Sequence, residues 1–181
     1  VTGARPSWLA AAERIAKSLD RFTCTMGRAV SWLCLAMVVM TGVVVALRYL
    51  FDFGWIWLQE TVIWMHATVF LLAAGYTLSL DEHVRVDVIY RGMSPRRQLV
   101  VDTLGVALLL LPTCGWMVWS AWDYMLASWH VYESSQETGG LHGLYLLKTL
   151  IVATPLLIAI EAVAIIVLGW ARLLTLSGDA D

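Results

Sequence analysis

Among the ionisable side chains within or at the edge of long apolar runs, four could carry chemistry: Arg48, Glu60, His66 and Glu161. An ionisable group in hydrocarbon is costly and marks a functional position unless something pairs with it. Arg48 closes one run and Glu60 opens the next, so a short connection would bring them to similar depth as an ion pair. Glu161 stands twelve residues past Thr149, where the last run begins, or roughly 18 Å along a helix. That predicts a carboxyl near the bilayer centre, either protonated or paired. It would then be a proton or cation site, as in small multidrug exporters, or a neutral group bonded to a neighbouring helix. His66 raises haem ligation, which needs a second histidine on a facing helix at equal depth. His83, His130 and His142 all fall between the runs instead. With no metal-ligand spacing, nucleophile elbow or phosphate loop, the chain reads as no enzyme and calls for no cofactor.

The elements that position these groups follow from composition. Of 181 residues, 60% are apolar and 14% charged, with mean hydropathy +0.73, more than a soluble core requires. A membrane span needs roughly 20 apolar residues. Four spans are expected, at about 29–49, 57–80, 99–122 and 147–173, each helical because an open chain in lipid leaves backbone donors unpaired. The chain reads as a single all-α, polytopic domain over 1–181. Ten of the twelve Lys and Arg lie on one side: Arg5, Arg14, Lys17, Arg21 and Arg28 in the N-terminal arm, Arg85, Arg91, Arg96 and Arg97 after the second span, and Arg172 in the tail. Basic loops stay cytoplasmic, which puts both termini there. No basic run suggests nucleic acid.

Before the first span, Trp8, Ala12, Ile15, Leu19 and Phe22 recur at helical spacing among charged residues, which predicts an amphipathic arm over 7–27 lying in the interface. The aromatic link "LFDFGWIW" is short enough to close an antiparallel hairpin. Trp55, Trp57, Trp119, Trp122 and Trp129 suit a belt at the opposite, periplasmic boundary. Ser94 and Pro95 open the third helix as N-cap and first residue, and Pro112 with Gly115 offers a kink. The polar, glycine-containing stretch "HVYESSQETGGLHG" is a loop. Cys24, Cys34 and Cys114 are odd in number and poorly placed for a disulfide, so they read as free thiols. The first apolar run is too long for a signal h-region and is expected to remain as an anchor.

One charged segment interrupts this pattern. "DEHVRVDVIY", Asp81 to Tyr90, follows the second span, and its period of two leaves an extended turn and a helical turn both open. With what precedes it, "LQETVIWMHATVFLLAAGYTLSLDEHVRVDVIY", it resembles the signature of the small permease subunit of tripartite ATP-independent periplasmic (TRAP) transporters, the DctQ family. The positions that carry the resemblance are Glu60, Gly75 and the block His83, Val84, Arg85, Val86, Asp87. The stretch "SWHVYESSQETGGLHGLYLLK" resembles a longer-looped subgroup associated with 2-oxo acids and aromatic acids.

The resemblance implies a multi-pass protein of the bacterial inner membrane, in complex with a large membrane subunit. A periplasmic substrate-binding protein feeds that complex, and a sodium gradient drives uptake of an organic acid. Substrate and sodium sites would lie on the large subunit, with this chain part of the fixed scaffold. Arg48, Glu60, Gly75, His83, Arg85, Asp87 and Glu161 would be structural or partner contacts. Glu133, Glu137, Gly139 and Gly140 would belong to a periplasmic docking loop. The rival readings are a small membrane haem or quinone oxidoreductase subunit and a proton-coupled exporter centred on Glu161.

Overall fold

A computed structural model describes residues 7–80 and 90–178. These residues form helices and turns, with one isolated antiparallel bridge between Ser134 and His142. Helix α1 is Ser7–Phe51, α2 Ile56–Ser79, α3 Pro95–Gly105, α4 Leu111–His130 and α5 Leu144–Gly178; a π-helical turn, Val106–Leu110, joins α3 to α4. Four stretches are long and apolar enough to cross a membrane: Glu13–Phe51, Ile56–Ser79, Pro95–His130 and Leu144–Leu173. The chain is an all-α, multi-pass membrane protein. Connections 52–55 and 131–143 share one end, here the loop end; the start of α1, the end of α2, the start of α3 and the end of α5 share the other, here the termini end.

Nothing between Ser7 and Phe51 breaks a helix, since the stretch has no proline and only isolated glycines. The expected arm and first span therefore run together as one helix of 45 residues, roughly 68 Å long. Its buried face is Ala16, Thr23, Gly27 and Val30. Ile15 and Phe22, from the apolar stripe of the arm, are 62% and 53% exposed. The arm thus packs through small residues and turns Ile15 and Phe22 outward.

Helix α3 begins at Pro95 after Ser94 in extended backbone. The span it opens is interrupted just ahead of Pro112, where the Leu111 N–H reaches back five residues to Val106 O. Proline cannot donate, and its ring presses on the carbonyl one turn earlier. A single wide turn relieves that conflict.

Helix α5 is the centre of the packing. A third of its most apolar window is buried (33%), against 6% in α1 and in α2. Thr154, Pro155, Leu157, Glu161, Ala162, Ala164 and Ala171 supply the buried surface, and most are small, which lets neighbouring backbones come close in a setting where lipid gives no hydrophobic drive to helix pairing. At Gly75 three helices meet: a Cβ there would lie 3.4 Å from the Leu157 backbone of α5 and 3.4 Å from Thr23 Cγ2 of α1. Where α1 crosses α2, a Cβ on Gly27 would overlap the Tyr76 ring. The accessible surface is 12412 Å², well above the about 8,700 Å² expected of a compact monomer of this mass. This is an open arrangement of helices around α5. The three cysteines are free thiols.

Candidate functional site

A dense polar structure lies at the loop end, and it starts from Glu60, one turn into α2. Residues 131–143 fold as a small hairpin. Its arms pair at Ser134 and His142, Ser135 N–H donates to Leu141 O at 3.0 Å, and Gly140 N–H closes the turn onto Glu137 O at 3.0 Å. In an antiparallel pair the Leu141 N–H would cross back to the partner strand. Here it donates to Glu60 Oε2 at 2.6 Å, while the Ser135 hydroxyl donates to Glu60 Oε1. One carboxylate therefore completes the ladder and ties the hairpin to α2. Hydrogen bonds to an ionised acceptor are about twice as strong as neutral ones. The fit is close, because a Cβ on Gly140 would meet Ser135 Oγ at 2.5 Å and Glu60 Oε2 at 2.8 Å.

A second set of contacts fastens the same loop to α4 and α5. Lys148 Nζ donates to Glu133 Oε2 at 2.5 Å, with side chains 13% and 26% exposed, and lies 4.1 Å from the centroid of the Tyr124 ring. The Lys148 bond holds the Glu133 carboxyl below the usual carboxylate range. Trp129 Nε1–H donates to Thr149 Oγ1 at 2.9 Å, and Tyr145 packs against both Trp129 and Tyr132, at 4.5 and 5.7 Å between centroids. The Ser134 hydroxyl and His142 Nδ1 are 2.9 Å apart. Across the same end, Phe53, Trp55 and Trp57 lie in a row of rings 5.9 and 6.1 Å apart, an aromatic edge of the kind that sits at a membrane boundary.

One pairing read from sequence requires correction. Among the described residues no ion pair joins Arg48 to Glu60. Both oxygens of Glu60 are engaged by the hairpin, and Arg48 is exposed in the last turn of α1. Helix α5 starts at Leu144, so Glu161 is roughly 25 Å along it, close to Asp20 and Thr23 of α1 and lining a cavity with Ser79 at the end of α2.

That cavity, about 620 Å³, is also bordered by Asp102, Thr103, Gly169 and Arg172. Glu161 is 3% exposed, and its Oε2 has no hydrogen-bond partner. His66 is exposed on α2 beside Met37, Val38 and Thr41 of α1, while His130 and His142 belong to the loop end. His83, Arg85 and Asp87 lie outside the described residues. Beyond them, the Tyr90 hydroxyl donates to Asp102 Oδ2 at 2.5 Å, and Gln98 Nε2 donates to Tyr90 O at 2.9 Å, which ties the end of that charged segment to α3.

Of the proposed docking-loop residues, Gly140 packs on Glu60, Glu133 holds Lys148, and Glu137 and Gly139 are exposed at the turn. Sequence reasoning missed Ser135 and the Leu141 N–H, for which nothing in the local pattern is a signal. Lys148 was more accessible to it, since Glu133 and Lys148 are opposite charges flanking one short loop.

A model of the DctQ component of the tripartite ATP-independent periplasmic transporters matches residues 22–175, from the middle of α1 almost to the end of α5. The chain belongs to this family. No curated protein and no solved structure matches it. As a DctQ component, this chain is part of a transporter. Its loop-end hairpin is then a polar element held to three spanning helices, suited to presenting a fixed surface.

Proposed function

We propose that this DctQ chain is the small scaffold subunit of a TRAP transporter in a bacterial inner membrane, with both termini cytoplasmic and the loop end periplasmic. Its partners are a large membrane subunit, which moves an organic acid with a sodium gradient, and a periplasmic substrate-binding protein, which meets the hairpin 131–143. The family match over 22–175 carries this reading. Two features support it: most of the described basic residues gather at the termini end, as a cytoplasmic face requires, and Glu60 holds the hairpin in one position. A scaffold gains from that rigidity, because a preformed surface loses little entropy on docking.

The test is sodium-driven uptake of organic acids into liposomes containing this chain, the large subunit and the binding protein. Uptake is expected with all three and not with this chain alone. Robust transport by the isolated chain would instead support an exporter built around Glu161.

A further inference from the structure

His66 occupies the middle of the α1–α2 hairpin. It is ten residues from the start of α2 at Ile56, roughly 15 Å from the loop end of that helix. Its neighbours on α1, Met37, Val38 and Thr41, fall about halfway between Arg28 and Arg48, the basic residues that bracket the apolar part of α1. Both helices therefore put this imidazole at mid-bilayer depth. It is exposed, and among the described residues its ring has no hydrogen-bond partner. Even neutral, imidazole carries one N–H donor and one nitrogen acceptor, and hydrocarbon satisfies neither.

The surroundings form a shallow groove. Met37, Val38 and Thr41 make one wall, Val62, Ile63 and His66 the other. The Thr41 hydroxyl donates to Met37 O at 2.7 Å, leaving its oxygen free to accept a further bond. Beside it, Gly42 has nothing within 4 Å of the position a Cβ would take, so a neighbouring backbone could come close there. An apolar trough with a donor, two acceptors and an open glycine is what a polar membrane helix packs into, since such helices associate by close contact and interhelical hydrogen bonds. Acyl chains can fill the trough but leave the polar atoms unmatched.

We infer that this groove is the seat of a transmembrane helix of the large subunit. That helix carries a hydroxyl, amide or carboxyl side chain at mid-depth, bonded to His66. The inference rests on the scaffold reading above and adds to it the face and the residue. The assembly pairs unlike subunits, and the groove's unmatched donor and acceptors call for a complementary partner group.

The experiment uses the complete transporter in native membranes, with a photo-cross-linking benzoylphenylalanine at Ile63 or, separately, at Val38. Adducts are identified by mass. Both positions are expected to capture the large subunit. His66→Leu should lower the large subunit co-purified with this chain by about fivefold, whereas His66→Gln, which restores a donor and an acceptor, should stay within about twofold of wild type. Adducts only to lipid or to a second copy of this chain, or His66→Leu co-purifying like wild type, would overturn the assignment while leaving the scaffold reading intact. If the wild-type chain brings down no large subunit at all, both fail.

Discussion

Glu60 and Glu161 are both glutamates in apolar helices, yet they have opposite surroundings. At the loop end, Glu60 has a donor on each oxygen, from Ser135 and Leu141. Toward the termini end, Glu161 is almost fully buried with Oε2 unpartnered, beside Asp20 and a cavity. A carboxylate that completes a hairpin is structural, because its removal strands two donors at once. One that borders a cavity with an unused oxygen contributes little bonding that a neutral, isosteric group could not supply. Charge in a membrane helix is thus a prompt to ask what each oxygen touches, and only one of these two answers is an anchor.

The largest effect is expected at Glu60. Glu60→Leu leaves the Ser135 hydroxyl and the Leu141 N–H without acceptors, and a buried donor left unmade costs more than the bond contributes. Exchange protection of the Leu141 amide should fall by on the order of tenfold, measured by hydrogen–deuterium exchange in the assembled complex. Gly140→Ala should loosen the same amide, since its Cβ meets Ser135 Oγ and Glu60 Oε2. Arg48→Ala should leave it unchanged. Loosening in Arg48→Ala to the extent seen in Glu60→Leu would mean that the arginine supports the anchor after all.

At Glu161 a smaller effect is expected. Glu161→Gln keeps the shape and adds an N–H that can donate into the cavity. Transport by the complete complex should stay within about twofold of wild type, and the melting temperature within about 3 °C. Glu161→Leu should do worse, because it places an apolar end in a cavity bordered by Asp20, Ser79 and Asp102. Loss of transport in the Gln variant with assembly intact would make Glu161 a coupling group. The contrast with Glu60 would then be one of two functions, not of anchor and bystander.

What could be read in advance follows the same divide. The four spans and their up-down order were legible because hydrocarbon forces every long apolar run into a helix. The start of α3 was legible in Ser94 and Pro95. The packing was not: that α5 is central rests on small residues such as Ala162, Ala164 and Ala171, which hydropathy scores no differently from those facing lipid. Glu60 was singled out, but it was assigned the nearest basic residue across a short link. Its actual partners lie 75 and 81 residues away, and only the folded hairpin brings them near.

The smallest expected effect concerns the loop's other fastening, and it sharpens the comparison by asking whether Glu60 holds the hairpin alone. Glu133 is half-buried, and its bond to Lys148 draws its carboxyl below the ordinary 4.5. The folded protein thus binds that proton less readily than the unfolded chain does. The pair's contribution is complete above the ordinary value and fades only as pH falls through the lower, folded one. That contribution should be flat between about pH 5 and 8 and decline only in stronger acid. Lys148→Met should move the Glu133 titration, followed by carbon-13 NMR of labelled glutamate, upward toward 4.5. Because ion pairs still open to solvent contribute little, the Leu141 amide should stay nearly as protected in Lys148→Met as in wild type. A loss as large as that of Glu60→Leu would make Lys148 a second anchor of equal weight, and the loop would then depend on two charged contacts instead of one.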